Sequence, residues 1–277
     1  WNCATRRSTR KSHTLERPTG YVPGFLRFNQ AVAPYASSGR MLGFVEQIFG
    51  PHVRISMFTG IVEHMGRVAE VRSTPSGKRL VVDSCAWAHQ PRAGDSIGVN
   101  GCCLTVVGEL GAGSHASGVL AFDVVPETLA KTTLGSWRVG EGVNLEHAAT
   151  ASTLLGGHVV QGHVDGVGRV EENGQIANSQ MANGEKEKEG EWRPRVALPR
   201  ELMEYMVPKG SVSIDGVSLT LAAVDVARDA IEIALIPTTL EKTTLGGRKA
   251  GDGVNVEADV MAKTVVHYLR HFAKREG

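Results

Sequence analysis

Short runs of apolar residues, separated by Gly, Pro and Asp, make up most of the chain from residue 57 onward. In the first half of this region the runs cover residues 80–82, 96–99, 104–107 and 119–125. Runs rich in β-branched residues at such close spacing are typical of a small antiparallel β-barrel. Residues 127–134 are predicted to form a brief helical turn between two of the strands.

The corner at residues 99–106 occurs a second time at residues 214–221, which lie 115 residues later. Each copy places Asn-Gly or Asp-Gly between two apolar runs, a strong signal for a tight turn between antiparallel strands. A small polar side chain, Cys103 in the first copy and Ser218 in the second, follows each turn. The two copies therefore predict two similar strand–turn–strand corners.

Longer blocks on both sides of these corners are repeated in the same order. Residues 60–68 return at 162–170, residues 126–134 at 237–245, and residues 140–146 at 251–257. A repeat of about a hundred residues is a whole domain rather than one unit of a solenoid. We predict an all-β fold with two tandem antiparallel barrels, residues 57–152 and 153–258, each large enough to bury a core.

The last segment, residues 259–277, changes to a helical pattern. Asp259 is a good N-cap residue. The apolar side chains after it recur at helical spacing; they are Ala262, Val265, Val266, Leu269, Phe272 and Ala273. A single amphipathic helix on a β protein must cover a barrel or join another subunit, and the sequence favours neither.

Two segments lie outside the repeat. Residues 1–56 carry 8 Lys and Arg against 2 acidic residues. A basic, acid-poor leader of this kind is typical of an organelle transit segment, which suggests a plastid location. A disordered leader or a wrongly translated upstream sequence fits the composition equally well. Residues 173–194 are polar and contain a Glu-Lys-Glu-Lys-Glu run, which we interpret as a solvated hairpin extension.

Charge and cysteine content exclude several classes of protein. Residues 57–277 carry 22 basic and 27 acidic residues, which argues against nucleic acid as the main partner. No apolar run reaches the roughly 18–20 residues that a membrane span needs. The four cysteines have no disulfide-framework spacing, which indicates a reducing compartment. Cys102 and Cys103 are adjacent and would point to opposite faces of a strand.

The sequence contains no phosphate-binding motif. Two histidines are candidate metal ligands by residue type. His158 and His163 would face opposite sides of a strand, and no further ligand stands at a suitable spacing, so we predict no metal. The histidines are then either hydrogen-bonded turn residues or groups that transfer protons in a site.

The repeated corners suggest two similar pockets. Cys103 alone is compatible with a small core residue. Ser218 at the equivalent position weakens that interpretation, because a buried hydroxyl needs a hydrogen-bonding partner. The repeated Pro-x-Thr-Leu-x-Lys-Thr-Thr-Leu segments are either structural turns or loops that bind a planar polar heterocycle with a polyol tail.

The motifs in these segments resemble those of the riboflavin synthase family. They are MFTGIVE at 57–63, NGCCLT at 100–105, GGHVVQGHVD at 156–165, DGVSLT at 215–220 and IPTTL at 236–240. The resemblance extends from residue 57 to about residue 275, with every block in order, and excludes residues 1–56 and 173–194. It implies duplicated Greek-key antiparallel β-barrels with a C-terminal α-helix that holds a homotrimer.

The resemblance also implies an activity. In that family, two molecules of 6,7-dimethyl-8-ribityllumazine exchange a four-carbon unit and give riboflavin and 5-amino-6-(D-ribitylamino)uracil, without metal or cofactor. Two identical substrates need a donor pocket and an acceptor pocket, which gives the duplication a chemical reason. The family implies sites between subunits and possible association with lumazine synthase. Catalysis would rest on orientation of two bound molecules, supplemented by proton transfer.

The family motifs carry over to named residues of this chain. The resemblance places in the N-terminal pocket Gly60, Ile61, Val62, Cys103, Leu104, Thr105, Asp123, Val124, Val125, Pro126, Glu127 and Thr128. It places in the C-terminal pocket Gly162, His163, Val164, Lys209, Ser218, Leu219, Thr220, Leu235, Ile236, Pro237, Thr238, Thr239 and Leu240. The candidate chemical groups are Cys103, His158, His163, Ser218, Thr220 and Asp259.

Two other classes of protein share part of this pattern. A lumazine-binding optical protein has the same double barrel and ligand but no turnover, and it is expected to let one pocket drift. The second copy here retains its Gly-His, Ser-Leu-Thr and Pro-Thr-Thr-Leu motifs, which favours the enzyme. A flavin-binding barrel of a reductase is less consistent with the sequence, because no nicotinamide domain accompanies it.

Overall fold

The computed structural model describes residues 57–84, 87–89, 91–107, 118–150, 152–172 and 192–273. The predictions about residues 1–56, and about most of the polar insert at residues 173–194, lie outside these ranges. Among the helices described, none is long and apolar enough to cross a membrane.

Six antiparallel strands form the first β-sheet. They are β1 (His64–Thr74), β2 (Gly77–Asp83), β3 (Ser96–Val99), β4 (Cys102–Thr105), β5 (Val119–Val124) and β6 (Gly142–His147). Their order across the sheet is β4-β3-β6-β1-β2-β5. The two end strands meet where Val106 pairs with Phe122. The sheet therefore curls around a core that includes Val82, Ile97 and Leu145.

Six further strands form the second sheet, which closes into a barrel. They are β7 (Gly166–Glu172), β8 (Arg195–Ala197), β9 (Ser211–Ile214), β10 (Val217–Asp225), β11 (Ala230–Ile233) and β12 (Gly253–Ala258). Around the barrel the order is β10-β11-β8-β7-β12-β9. Each strand has the same neighbours as its counterpart in the first sheet, so the predicted duplication of an antiparallel β fold is confirmed.

The two repeated corners are tight turns, as the sequence predicts. Asn100 has a φ of 44° and Gly101 a φ of 75°, and the equivalent Asp215 and Gly216 have φ values of 47° and 79°. Positive φ at both central residues is what a type I′ hairpin turn requires, and Asn-Gly and Asp-Gly adopt it at low cost. These turns join β3 to β4 and β9 to β10.

Side chains alternate across the strands that follow these turns. Cys102 is buried in the first core, whereas Cys103 is partly exposed on the opposite face. Val217 and Leu219 are likewise buried in the second core, and Ser218 between them is partly exposed. The prediction that the adjacent cysteines face opposite ways is therefore confirmed.

Two short helices follow the equivalent strands β5 and β11. They are α1 (Pro126–Lys131) and α2 (Pro237–Lys242), and each is followed by a short 3-10 turn (Thr133–Ser136 and Thr244–Gly247). Thr132 separates α1 from its turn with an extended backbone, and its hydroxyl donates to the Thr128 carbonyl at 2.6 Å. The predicted helical turn at residues 127–134 is therefore present, with a break near its end.

The C-terminal helix, α3 (Val260–His271), begins where the sequence predicts. The Asp259 carboxylate accepts a hydrogen bond from the Met261 amide at 2.8 Å, which confirms Asp259 as the N-cap. Val260 is the one buried residue of the helix. Its large apolar side chains are at least half exposed; they are Met261, Val265, Tyr268, Leu269 and Phe272. Across the residues that the structure describes, most of the apolar stripe is therefore exposed, and Ala262 and Val266 are partly buried.

Two buried asparagines join the barrels. Asn144 on β6 donates its side-chain amide to the Asp215 carbonyl at 2.9 Å, and Asn255 on β12 donates to the Asn100 carbonyl at 2.9 Å. Their side-chain oxygens accept the amides of Thr244 and Thr133, both at 2.8 Å. Each asparagine therefore satisfies backbone groups of the other barrel, and the two tight turns lie back to back.

Candidate active site

The site is built from two loops that pair with each other in front of the barrels. We call residues 57–63 loop A, which precedes β1, and residues 156–165 loop B, which precedes β7. Phe58 and Val160 exchange two backbone hydrogen bonds, with N–O distances of 2.7 and 3.0 Å. The Phe58 and Val160 side chains are buried together with Ala148. This pairing fixes the path of the residues that follow Phe58 in loop A and Val160 in loop B.

Each loop continues to the tight-turn corner of the other barrel. We call residues 96–105 the Cys103 corner and residues 211–220 the Ser218 corner. The Ser218 amide donates to the Gly60 carbonyl of loop A at 2.7 Å, and the Cys103 amide donates to the Gly162 carbonyl of loop B at 2.8 Å. Each loop therefore precedes one barrel and contacts the corner of the other, an arrangement that we call crossed.

The crossing corrects the expected grouping of residues. The family motifs place Gly60, Ile61 and Val62 with Cys103, and Gly162, His163 and Val164 with Ser218. The structure joins Gly60 of loop A to Ser218 and Gly162 of loop B to Cys103 instead, and His158, earlier in loop B, also contacts Ser218. The repeat reveals which residues are equivalent, but a loop that precedes a barrel is free to pack on either corner, so the grouping was wrong.

Two glycines make the crossing possible. Gly60 has a φ of 74°, and a Cβ atom on it would lie 2.6 Å from the Ser218 Cβ. Gly162 has a φ of 76°, and a Cβ atom on it would lie 2.6 Å from the Cys103 Cβ. Both positions combine a left-handed backbone with a close approach, so glycine is required at each. The two glycines indicate in the sequence that each loop makes a close backbone contact, but they do not show which residue it contacts.

The Ser218 corner contains a serine–histidine hydrogen bond. The Nδ1 atom of His158 lies 2.6 Å from the Ser218 Oγ atom. Burial lowers the pKa of His158, and the nearby Asp259 carboxylate opposes that shift. His158 is therefore mainly neutral at neutral pH and is able to exchange a proton with the Ser218 hydroxyl. Three of the candidate chemical groups, Ser218, His158 and Asp259, come together here.

His158 and His163 do not lie on a strand. Both belong to the irregular loop B, so the expectation that they face opposite sides of one strand was wrong. His163 is exposed, and its backbone amide donates to the Glu257 carboxylate at 3.0 Å. Partial burial and the Lys263 cation lower the pKa of the His163 side chain. Through Gly162, His163 is next to the Cys103 corner rather than the Ser218 corner.

In the sequence, Ser56 occupies the position of the first repeat that is equivalent to His158. Burial raises the pKa of the Cys103 thiol, and a hydrogen bond from Ser96 opposes the rise. The thiol form therefore predominates at neutral pH, which does not suit a thiolate nucleophile. The side chains of Leu104 and Leu219 are buried in the two barrel cores, so a ligand at either corner would meet the backbone of these two residues.

Two threonines continue the exposed face of each corner. Thr105 and Thr220 are both exposed, two residues beyond Cys103 and Ser218 on β4 and β10. The pairing of Val106 with Phe122 brings Thr105 opposite Asp123, and the pairing of Leu221 with Ile233 brings Thr220 opposite Ala234. The first corner therefore has a carboxylate where the second has a methyl group.

The segments after β5 and β11 border the same faces. Arg79 holds both carboxylate oxygens of Asp123, at 2.5 and 2.9 Å, and lowers the pKa of Asp123. Val124 and Leu235 are buried, whereas Val125 and Ile236 are exposed. The remaining predicted residues of the segments lie at the starts of α1 and α2 and are exposed or half-buried; they are Pro126, Glu127, Thr128, Pro237, Thr238, Thr239 and Leu240.

Lys209 precedes the Ser218 corner by two residues, at a position where the first barrel has Gly94. Its amide donates to the Leu221 carbonyl at 2.9 Å, and its φ is 67°, a left-handed value that is uncommon for a lysine. At the equivalent position, Gly94 has a φ of 90°, and its amide donates to the Val106 carbonyl. The two positions thus share a backbone conformation but differ in charge.

Two buried glutamates were not predicted as site residues. Glu146 on β6 accepts hydrogen bonds from loop A, and Glu257 on β12 accepts them from loop B. Burial raises the pKa of each to about 7, and the hydrogen bonds from the loops oppose that rise. The available signal was the repeated Gly-x-Gly-Val-Asn-x-Glu block, which ends on these residues.

Among the described residues, no group of three or more His, Cys, Asp or Glu side chains is arranged to hold a metal ion. The prediction that no metal takes part stays a prediction.

Comparison with known proteins identifies the class and then the family. The sequence profile of the lumazine binding domain matches the chain twice, at residues 59–148 and 161–259. A duplicated barrel of this kind defines a tandem lumazine-binding protein. Riboflavin synthase of Mycobacterium bovis is 41% identical over 215 residues, which cover 77% of this chain and 98% of that protein. The chain belongs to the riboflavin synthase family.

Further relatives and solved structures agree with this assignment. Riboflavin synthase of Actinobacillus pleuropneumoniae is 36% identical over 213 residues, 77% of this chain and 90% of that protein. The crystal structure of LumP complexed with riboflavin is similar, with a TM-score of 0.60 and 28% identity over 73% of this chain and 98% of that chain. LumP complexed with 6,7-dimethyl-8-(1'-D-ribityl) lumazine has a TM-score of 0.58 at 26% identity.

Proposed function

We propose that this protein is a transferase that converts two molecules of 6,7-dimethyl-8-ribityllumazine to riboflavin and 5-amino-6-(D-ribitylamino)uracil. One molecule donates a four-carbon unit and the other accepts it, so no external oxidant or reductant is needed. The structural observation that carries the proposal is that the two corners have the same backbone conformation but different side chains. Family membership supports the same reaction.

The difference between the corners suits a reaction in which two identical molecules play different roles. The Ser218 corner combines a hydroxyl with the neutral His158, and Lys209 lies two residues before it in the chain. The Cys103 corner combines a protonated thiol with Asp123 across the strand pair. One bound lumazine loses a proton from its 7-methyl group, and the other is attacked at C7. His158 and Ser218 are the groups best placed to relay such a proton.

A non-catalytic lumazine- or flavin-binding protein is the second candidate. It is favoured by the structural likeness to LumP, whose solved complexes contain a ribityl lumazine, riboflavin or flavin mononucleotide. One experiment separates the two functions. Purified protein is incubated with 6,7-dimethyl-8-ribityllumazine alone, and riboflavin is followed by its absorbance and fluorescence. Formation of riboflavin supports the enzyme, whereas tight binding without riboflavin supports the binding protein.

We further propose that the protein acts as a homotrimer with its sites between subunits. The exposed apolar side chains of α3 support this, because a surface of Met261, Val265, Leu269 and Phe272 is stabilised by burial against another chain. Docking of a second subunit would bring a corner of one chain near the opposite corner of the next.

Two proposals concern the surroundings of the enzyme. The basic composition of residues 1–56 supports a plastid location, which a fluorescent fusion of the whole chain would test against a fusion that begins at Met57. Association with lumazine synthase, the family partner, is testable by co-sedimentation of the two purified proteins. Migration of the two proteins as separate species would contradict the association.

A further inference from the structure

Glu146 and Glu257 are carboxylates buried at equivalent positions of the two barrels. Glu146 accepts three hydrogen bonds from loop A: from the Thr59 amide at 2.6 Å, the Thr59 hydroxyl at 2.8 Å and the Gly60 amide at 3.1 Å. Glu257 accepts three from loop B, from the amides of Gln161, Gly162 and His163 at 2.6, 2.9 and 3.0 Å. Each carboxylate thus converts an irregular loop into a fixed one.

The loops that these glutamates hold belong to the opposite corners. Glu146 lies on β6, in the barrel that contains the Cys103 corner, but Gly60 of loop A is hydrogen-bonded to Ser218. Glu257 lies on β12, in the barrel of the Ser218 corner, but Gly162, which it holds, bonds to Cys103. His158, which bonds to Ser218, lies earlier in loop B and is not among the residues that Glu257 holds. A displacement of either carboxylate would therefore be transmitted to the corner of the other barrel.

We propose that Glu146 and Glu257 are positioning residues with crossed effects: Glu146 sets the geometry of the Ser218 pocket, and Glu257 that of the Cys103 pocket. The proposal rests on the proposed function, because it treats the two corners as the lumazine pockets. Neither glutamate touches the reacting atoms; each acts through the loop that it holds.

The chemistry of the contacts explains why glutamate is needed. Three donors converge on each carboxylate, and a carboxylate offers enough lone pairs to accept all of them. Glutamine has the same shape but replaces one oxygen by an NH₂ group, which would face backbone N–H donors at the same place. Charged acceptors also make stronger hydrogen bonds than neutral ones. A Glu→Gln substitution is therefore expected to loosen the loop without changing side-chain size.

The charged groups near the two carboxylates differ. Glu63 of loop A is close enough to disfavour the charged form of Glu146. Glu257 has Lys263 of α3 and Asp165 of loop B nearby, and these two form an ion pair of 2.9 Å. Backbone N–H groups are therefore the main partners of Glu146, whereas Glu257 is also stabilised by a cation. Loss of the charge therefore removes more stabilisation at Glu257, and we expect Glu257→Gln to have the larger effect.

Double-mutant cycles test the crossed effects directly. Glu146→Gln and Glu257→Gln are each combined with Ser218→Ala and with Cys103→Ala in the full chain, and kcat/KM for riboflavin formation is measured. Each glutamine substitution alone should lower kcat/KM about tenfold or more. Added to Ser218→Ala, Glu146→Gln should cause a further loss of less than about threefold, but it should keep its full effect beside Cys103→Ala. Added to Cys103→Ala, Glu257→Gln should cause a further loss of less than about threefold, and it should keep its full effect beside Ser218→Ala.

Lumazine titration monitored by fluorescence gives a readout that does not depend on turnover. Glu146→Gln should weaken one of two binding sites, and Ser218→Ala should weaken the same one. Glu201→Gln, at an exposed glutamate outside both loops and both corners, is the matched control and should bind two lumazines as the unaltered protein does. If Glu146→Gln fails to fold, Thr59→Val, which removes one of the three donors, takes its place.

The outcomes separate the two proposals. A protein that binds two lumazines without forming riboflavin would contradict the proposed reaction, and the titrations would still test the positioning role. Coupling of Glu146 to Cys103 instead of Ser218, equal effects on both binding sites, or normal binding and turnover in both glutamine variants would overturn the crossed positioning. A purely structural role would lower the unfolding midpoint and weaken both sites alike.

Discussion

Asn144 and Asn255 each donate a side-chain amide to a backbone carbonyl beside the tight turn of the opposite barrel, at N–O distances of 2.9 Å. Both are almost completely buried. The same side chains also accept backbone amides at 2.8 Å, so four backbone groups at the junction depend on two residues. The junction between the barrels is polar and directional, which fixes their relative placement.

Replacement of either asparagine should weaken the junction. Asn144→Ala leaves the Asp215 carbonyl and the Thr244 amide without their partners, and an unsatisfied buried group costs about 1–3 kcal/mol. We therefore expect a loss of about 2–4 kcal/mol in the free energy of unfolding, measured with urea. Lys242→Ala, at an exposed position, is the control. A loss below about 0.5 kcal/mol for Asn144→Ala would show that water replaces these contacts.

Small polar side chains at the two corners should matter for turnover rather than for folding. Ser218→Ala removes the partner of His158, and we expect turnover to fall about a hundredfold, as for loss of a proton-transfer group. Cys103→Ala should lower turnover less, because its thiol is protonated, and Cys103→Ser should retain more activity, since serine occupies the equivalent corner. Steady-state kinetics and thermal unfolding measure the two effects separately. Fully active or unfolded alanine variants would favour a core role for both residues.

Replacement of Lys209 by glycine should leave the stability of the protein nearly unchanged but lower its activity. Its left-handed backbone suits glycine, the residue found at the equivalent position 94. Lys209→Gly should therefore unfold within about 1 kcal/mol of the unaltered protein. Its activity should fall about tenfold or more, because the cation that precedes the Ser218 corner in the chain is lost. A Lys242→Ala protein serves again as the control, and unchanged lumazine affinity in Lys209→Gly would contradict a binding role.

The buried glutamates should make stability and activity respond oppositely to pH. Glu146 and Glu257 have folded-state pKa values of about 7, above their ordinary value of 4.5. Between these values the two folded-state glutamates bind more protons than in the unfolded chain, so their contribution to stability is highest at low pH and falls as the pH rises through about 7. The lowered pKa values of His158 and His163 act in the opposite direction, so the glutamate contribution is obtained by comparison with a variant. Activity should rise over the same interval, because the charged carboxylates hold the loops.

Urea unfolding at a series of pH values, from about 5 to 8, measures the stability trend. A Glu146→Gln/Glu257→Gln protein should show a flatter profile, because neither side chain titrates. The same pH profile in the unaltered and the doubly substituted protein would contradict raised pKa values for the two glutamates.

The C-terminal helix should control assembly. A chain truncated after Asp259 lacks the exposed apolar stripe, and we expect it to sediment as a monomer where the full chain sediments as a trimer. Leu269→Glu is a milder version that retains the helix. Glu241→Gln, on α2, is the control for a surface substitution. A truncated chain that remains trimeric would exclude this role for α3.

Much of the fold was predictable because its signals are local. The Asn-Gly and Asp-Gly turns, the alternation around Cys103 and Ser218 and the Asp259 cap each depend on neighbouring residues. The block at residues 143–146 shows where local reasoning ends. Its alternation implies that Asn144 and Glu146 face solvent, but both are buried, because the other barrel covers one and loop A covers the other.

The repeat was sufficient to propose the residues of the candidate site, which stay a prediction, but it did not show which loop contacts which corner. A repeat shows that Gly60 and Gly162 are equivalent, and nothing local to either glycine states which barrel it will meet. That choice is made by the Phe58–Val160 pairing, a contact across 102 residues of chain. Glu146 and Glu257 follow the same logic, since their partners lie 86 to 96 residues away.

The crossed loops give the gene duplication a lasting consequence. Because Gly60 bonds to the corner of the second half and Gly162 to that of the first, each proposed pocket draws on both halves of the chain. A substitution in one copy therefore changes contacts at the corner of the other. Selection on either pocket therefore acts on the entire tandem, and the two copies are inherited as one functional unit although they differ in sequence.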